Sequence, residues 1–474
     1  MTYTRFARTI GMVALIVAIL SGPAHAGLED ILYEKGQITK EEWLKAKADA
    51  EKAMGPIEKI SEWQKKVSKL PILSDKFNIG LNVLQAQYLN NRADVAPGNS
   101  DNRFFIRRAE LIAWGKVNDY FPRWHMLADF AALSNVTATT STTTNNQILR
   151  EAYVDIVPVL SLQPYLDRIR IGQYRIPVGI EGSTSSGWID FINRTYITSF
   201  GTSTTSTTPL NNAVFGGTQG YISASGIDFI QERDVYMDFK SKPIEQLELD
   251  LGIMNGNGIN GVGSTFDNNN KKDFFGRARV KPRKDMFFSL GTMQGHSTPL
   301  NSRIAGRGYG KYDRMIADFQ IKPEIIPGLK LQGEFVWGHD APITTTGAAL
   351  NGNGTNLTTC AAIMEAGTAC RGETRTVWYV YGSYLIQNGP LKDWELLARY
   401  EEFDPSKNTT QDMYHRTTIG INYHFANLPP KVKAMFQLNY EFRHHDGNGP
   451  NTTVTNFDEF GHNALLLQLH VRWF

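Results

Sequence analysis

Val432-Lys433-Ala434-Met435-Phe436-Gln437-Leu438-Asn439-Tyr440-Glu441-Phe442-Arg443 alternates apolar and polar side chains almost without a break. Successive side chains of an extended chain point to opposite sides. Val432, Ala434, Phe436, Leu438, Tyr440 and Phe442 therefore share one face, and Lys433, Gln437, Asn439, Glu441 and Arg443 share the other. The stretch 122–132 repeats the pattern, with Trp124, Met126, Ala128 and Phe130 opposed to Arg123, His125 and Asp129. Extending the same period in both directions predicts strands near 77–89, 103–117, 122–132, 147–157, 164–175, 228–240, 244–254, 272–282, 285–293, 311–321, 328–338, 373–387, 391–403, 413–425, 430–443 and 461–474. The region is all-β, with about sixteen strands.

The connections between these strands sort by parity. Short ones fall at 118–121, around Pro158, and at 241–243, 283–284, 322–327, 388–390 and 426–429. Long ones fall between them, at 90–102, 134–146, 255–270, 294–310, 339–371, 404–412 and after His444. A transmembrane barrel requires this alternation, with tight turns at the periplasmic rim and longer loops outside. A soluble sandwich has no reason to sort its loops so. A closed barrel pairs every backbone polar group, so an apolar face toward lipid and a charged face toward a lumen is the matching side-chain pattern. Sixteen strands enclose more space than side chains fill, so the lumen holds water.

Ahead of the strands the composition changes. Arg5 and Arg8 precede the apolar run 11–20, and Ala24-His25-Ala26 follows it, which reads as a secretory signal cut before Gly27. The run is too short to span a bilayer as a helix. Residues 28–70 are rich in Glu, Lys and Ala. Thr39 and Glu42 form a capping box at the head of a helix over 40–54, and Ile57, Ile60, Trp63, Val67 and Leu70 continue at helical spacing beyond Gly55-Pro56. The expected organisation is a signal peptide over 1–26, a periplasmic helical segment over 27–73 with coiled-coil potential, and the barrel over 74–474. With 41% hydrophobic and 20% charged residues and a formal net charge of +2, composition alone describes an ordinary soluble protein, as does a mean hydropathy of −0.31. Cys360 and Cys370 lie in one long loop of an exported chain, which favours a disulfide over two free thiols.

Four stretches resemble the phosphate-selective porin O and porin P family. They are Phe105-Ile106-Arg107-Arg108-Ala109, the run 170–181 (RIGQYRIPVGIE), the run 184–194 (TSSGWIDFINR), and Trp394-Glu395-Leu396-Leu397-Ala398-Arg399-Tyr400. Asn255-Gly256-Asn257-Gly258 and the helical residues 31–43 add to the likeness. The resemblance implies a sixteen-stranded homotrimeric channel in the outer membrane whose third loop folds into the pore. It implies passage of small anions, phosphate among them, along arginines to a basic constriction. It places Ser185, Ser186, Trp188, Asp190 and Arg194 on the constriction loop. Two departures stand out. The family's phosphate-selective members carry a Lys where this chain has Gly187, and the terminal Phe474 falls one step out of phase with Leu465, Leu467, Leu469, Val471 and Trp473.

By alternation, Arg168 and Arg170 share a face, as do Arg277, Arg279 and Lys281. With Arg108 and Arg194 they make the candidate anion path, since a guanidinium stays charged and offers a donor fork to oxyanions. Acids are as frequent on the same faces, among them Glu110, Asp129, Glu151, Asp155, Asp238, Glu248, Asp250, Asp318, Glu334, Glu401 and Glu441. The alternative is therefore cross-strand pairing that stiffens the wall. No catalytic motif, metal site or cofactor signature is present: G-x-S-x-G, H-E-x-x-H and Gly-rich nucleotide loops do not occur. His444-His445-Asp446 reads as a solvated loop cluster. The function expected is a passive anion porin; a general or neutral-solute porin is the alternative, and a barrel-anchored enzyme or adhesin stands third. Partners are small anions, outer-membrane lipid and further copies of the chain, with no nucleic acid.

Overall fold

The computed structural model describes residues 39–42, 44, 76–90, 102–131, 148–158, 162, 165–197, 233–256, 271–297, 310–340, 349–350, 356–357, 373–404, 407, 413–426, 428, 432–446 and 462–473. The expected signal peptide, most of the expected helical segment, Cys360, Cys370 and Phe474 lie outside these residues. The chain divides into two compact units, Met1–Ser74 and Asp75–Phe474. In the first, the Glu42 carboxylate accepts from Thr39 N at 2.8 Å, and Glu42 N donates to the Thr39 hydroxyl at 3.3 Å. That is the reciprocal exchange of a capping box.

In the second unit sixteen strands close an antiparallel barrel. They are β1 (Asn78–Asn90), β2 (Asn102–Gly115), β3 (Arg123–Asp129), β4 (Leu149–Ile156), β5 (Arg168–Arg175), β6 (Arg233–Ile244), β7 (Leu247–Met254), β8 (Asp273–Arg283), β9 (Met286–Ser297), β10 (Gly310–Ile321), β11 (Leu329–Asp340), β14 (Glu373–Leu385), β15 (Trp394–Asp404), β16 (Tyr414–His424), β17 (Val432–His445) and β18 (Ala464–Trp473). Each pairs with its neighbours in sequence, and β1 closes on β18 in the register Val83↔Arg472 through Asn90↔Leu465. Two further short strands, β12 (Ala349–Leu350) and β13 (Asn356–Leu357), pair only with each other inside a long loop. All sixteen predicted strands have a counterpart in the wall. The parity of the loops holds: 245–246 and 284–285 are tight turns, whereas 176–232 and 341–372 separate consecutive wall strands at the other rim.

Side chains sort as the alternation predicts. All the acids named on the inward faces are buried, from Glu110 to Glu441. Outward residues are apolar and open, with Leu251, Leu290 and Met315 at 61%, 68% and 62% exposure. A soluble barrel has the opposite sense. Aromatic pairs ring both rims, Phe77 with Trp124 and Trp394 with Tyr423 at the short-turn end, Tyr88 with Phe104 and Trp378 with Tyr400 at the long-loop end. Rings of this kind sit where hydrocarbon meets headgroups.

Bulges break the period in three places that matter for the lumen. Gln85 pairs with Arg108 and Ala86 with Ile106, leaving Arg107 as the extra residue of β2. Asn82 is the extra residue of β1 and donates to Glu110 at 2.7 Å. Arg150 is the extra residue of β4 and reaches Asp129 at 3.5 Å. Each bulge turns toward the lumen a side chain that strict alternation would point outward.

Candidate functional site

Strand β5 carries Arg168 and Arg170 to the point where the chain leaves the wall. Gly172 has φ +134°, and a Cβ there would lie 2.2 Å from the Ala152 carbonyl oxygen and 2.7 Å from Tyr153 Cα. Only glycine combines that dihedral with so close a backbone approach. Past Arg175 the segment 176–197 folds into the barrel as the expected third loop. Its 3-10 turn Ser186–Trp188 is capped by Ser185, whose hydroxyl accepts from Gly187 N at 3.4 Å.

Wall side chains hold the loop by its backbone. Glu334 accepts from Ile180 N and Glu181 N at 3.1 and 2.9 Å, Asn439 from Ile192 N at 2.7 Å, and Glu401 from Tyr196 N at 2.7 Å. Arg399 donates to Asn193 O at 3.0 Å, Arg416 to Arg194 O at 2.6 Å, and Asn422 and Gln437 to Asp190 O at 2.9 and 2.8 Å. Arg107 and Arg472 donate to Ile192 O and Gly187 O. A loop drawn into a barrel loses water from its peptide groups, and these partners replace it. Ile176, Val178, Phe191, Tyr196 and Ile197 supply the apolar anchor by packing on inward side chains that include Met293, Ile316, Val336 and Val377.

The five constriction residues divide by role. Ser185 and Ser186 shape the 3-10 turn. Trp188 is 54% exposed, with the Arg472 guanidinium carbon 3.7 Å from its ring centroid. Asp190 receives the Lys330 ammonium and the Tyr381 hydroxyl, each at 2.7 Å. Burial raises its carboxyl pKa, but Lys330 and the two hydrogen bonds outweigh burial and hold it below the usual carboxylate range. Arg194 is 5% exposed and spends its guanidinium inside the loop, donating to the Glu181 and Thr184 carbonyls. Gly187 is buried, and a Cβ there would meet Val83 Cγ2 at 2.6 Å, so a longer side chain in this position has to displace the wall.

The basic rows of the wall are largely neutralised. Arg108 reaches Asp129 at 2.7 Å, Arg168 pairs with Asp238, Arg170 grips Asp155 through two bonds of 2.7 and 2.9 Å, Arg277 pairs with Asp250, and Lys281 reaches Glu248 at 2.6 Å. Arg170 also stacks over Tyr153 and Tyr174 at 3.8 and 4.3 Å. Arg279 is the exception: among the described residues it has no carboxylate within ion-pair distance, and it lies over the Phe287 ring at 4.2 Å.

Sequence reasoning missed Arg107, Lys330, Arg399, Arg416 and Arg472. The Arg107-Arg108 doublet was a signal, because two adjacent arginines in a strand share a face only across a bulge. The other four look like ordinary inward bases until loop 3 is in place. Beneath the loop a cavity of about 190 Å³ is lined by Trp188, Ile189, Phe191, Gln320, Lys322, Lys330, Tyr381 and Arg399, with Glu181. Lys322 has no ion-pair partner among the described residues; burial and then the nearby Lys330 charge lower its pKa.

A closed barrel of sixteen strands with a polar lumen, an apolar girdled exterior and an infolded third loop is an outer-membrane porin, a channel of the bacterial outer membrane. The family model described as phosphate-selective porin O and P matches residues 77–226, the segment that contains β1 to β5 and the described part of loop 3. The chain is similar to that family over this segment. No curated protein matches it. Among solved structures it is similar to the anion-selective porin from Comamonas acidovorans, at 11% identity and TM-score 0.48, covering 84% of this chain and 99% of that one. It is also similar to OprB of Pseudomonas putida, at 10% identity and TM-score 0.49, covering 85% and 95%. The outer membrane channel DcaP of Acinetobacter baumannii aligns at 10% identity and TM-score 0.46, covering 84% and 98%.

Proposed function

We propose that this porin passes small anions in preference to cations, phosphate among them, and that it works as a homotrimer rather than as an enzyme. The observation that carries the preference is the cavity beneath loop 3. Of its basic lining residues, Lys330 is paired with Asp190 at 2.7 Å and Arg399 with Glu401 at 3.1 Å, which leaves Lys322 as the cation without an ion-pair partner among the described residues; the acid Glu181 accepts a bond from Thr195 N at 3.0 Å. Lys322 directly follows β10 at the short-turn rim and lines the cavity under loop 3, where its charge is less screened than that of a base on open surface and so weighs more on selectivity. Arg279 adds an unmatched cation on the wall. The other predicted wall bases contribute less, because a guanidinium already gripped by a carboxylate presents little net charge to a passing ion. That pairing is also what favours the second reading, a general porin with little ion preference.

Reversal potential across a planar bilayer in a potassium chloride gradient separates the two. The anion reading expects a potential of the chloride sign that moves toward potassium in Lys322→Glu. A potential near zero in the unaltered protein would support the general porin. The apolar outer faces of β1 and β2, where Ile79, Leu81, Phe104 and Ile106 are exposed, are the proposed contact between copies. The proposal includes export on a signal peptide over 1–26, a helical segment over 27–73, and a bridge between Cys360 and Cys370.

A further inference from the structure

Most acids of the inner wall meet a base. Asp129, Asp155, Glu248, Asp250, Glu401 and Glu441 each stand in an ion pair with an arginine or a lysine. Asp318 and Glu334 differ: among the described residues their partners are a hydroxyl on the first and two backbone N–H groups and a hydroxyl on the second, with no base. Both are buried, at 5% and 3% exposure. They lie directly opposite each other on β10 and β11. Like charges in that position repel, and burial sharpens the repulsion because little water screens it.

The hydrogen bonds of the pair leave one oxygen over on each side. Asp318 accepts from the Ser289 hydroxyl through Oδ1. Glu334 accepts through Oε2 from Ile180 N and Glu181 N at 3.1 and 2.9 Å, with the Tyr379 hydroxyl 3.4 Å from the same atom. Asp318 Oδ2 and Glu334 Oε1 are buried without a hydrogen-bond partner among the described residues. A buried oxygen with nothing to accept is costly. One proton held between the two carboxyls satisfies both oxygens and removes the repulsion.

The surrounding charges leave room for that proton. From β8, Arg277 and Arg279 act on Asp318, but β9 lies between, and Arg277 is already paired with Asp250. Loop 3 brings Glu181, a further acid, and β14 brings the Tyr379 hydroxyl. No three acids or histidines among the described residues are grouped so as to hold a metal ion.

We infer that Asp318 and Glu334 share one proton at neutral pH, so that two carboxyls present a single negative charge to the lumen and act together as a determinant of ion selectivity. A second ionised carboxylate at this place would draw cations and offset Lys322 or Arg279. The inference stands apart from the anion reading, because it concerns a charge whose effect is measured as a shift from the unaltered protein, whichever ion that protein prefers.

The test uses the purified full-length protein, Asp318→Asn, Glu334→Gln and the double variant in planar bilayers, with reversal potential measured at pH 7 in a potassium chloride gradient. Each amide keeps an oxygen for the donors its carboxylate served, and heat-modifiable gel mobility establishes that each variant is folded. With one carboxyl gone, the other ionises, since donors on its second oxygen favour the charged form. Each single variant is therefore expected to keep the permeability ratio of the unaltered protein. The double variant should raise the anion-to-cation ratio about twofold, the weight of one charge about 10 Å from the ion path under partial salt screening. A single variant that already shows about half of the double variant's shift, or more, would overturn the shared proton, as would a double variant that shows none. Infrared difference spectra at pH 7 give a reading independent of ion flow. The unaltered protein should show a protonated-carboxyl band that both single variants lack, and survival of that band in either one would equally overturn the inference.

Discussion

At the scale of single residues, the lumen is governed by which neighbour each charge meets. Arg194 illustrates this: its position in the third loop invites a role in the ion path, yet its guanidinium ties the carbonyls of Glu181 and Thr184 together. It is a positioning residue, and its charge reaches ions only through the shape of the loop. Gly172 lies inside β5, ahead of the loop, paired with Tyr153 on one side and Tyr236 on the other. Its dihedral and the nearness of the Ala152 carbonyl leave no place for a methyl group. Gly172→Ala is expected to cost about 1–3 kcal/mol in backbone strain alone, with steric displacement added. The measurement is heat-modifiable mobility of the refolded variant against temperature, where the folded band should be lost well below the wild-type midpoint.

At the scale of elements, loop 3 is a separate polypeptide surface pressed against the inner wall, held by carboxylates at its peptide N–H groups and by arginines and amides at its carbonyls. The link between Asp190, Lys330 and Tyr381 gives this attachment a pH dependence. The carboxyl pKa of Asp190 is lower in the folded loop than in an unfolded chain. Its contribution is therefore complete above the ordinary carboxylate range, and it falls away as pH drops below about 4 through the depressed value. Current through single channels should be steady at pH 6 and become noisy near pH 3. Asp190→Asn should show the noise at both. Equal noise in the unaltered protein at the two values would disconnect Asp190 from loop attachment.

At the scale of the whole molecule, the apolar exterior and aromatic rims set the barrel in a bilayer, and the exposed faces of β1 and β2 offer a surface on which copies can meet. The expected native mass in mild detergent is that of three chains, measured by light scattering with the detergent contribution subtracted. Leu81→Arg, on that outer face near the short-turn end of β1, should shift it to one chain, since a guanidinium buried unpaired in the contact is costly, whereas on a separated barrel it can reach water at the nearby rim. A one-chain mass for the unaltered protein with intact conductance would remove the trimer.

The barrel was legible in the residues because its causes are local and periodic. A strand's two faces follow from alternation, as in 432–443, and the sorting of loops by length follows from the two different rims. The inward placement of Glu110, Glu334, Glu401 and Glu441 could be read the same way. Pairing could not be read, because it joins residues far apart in the chain. Lys330 meets Asp190 across 140 positions, and Asn193 meets Glu441 across 248. Nothing in the local pattern distinguishes a glutamate that clamps a loop N–H from one that faces water. Bulges escaped for a related reason: Arg107 and Arg150 turn inward because the partner strand lacks a residue opposite them. Periodicity therefore established that the lumen would be lined by charges of both signs. Closure of the barrel around loop 3 determined which charges cancel and which, like Lys322 and Arg279, remain without an ion-pair partner among the described residues.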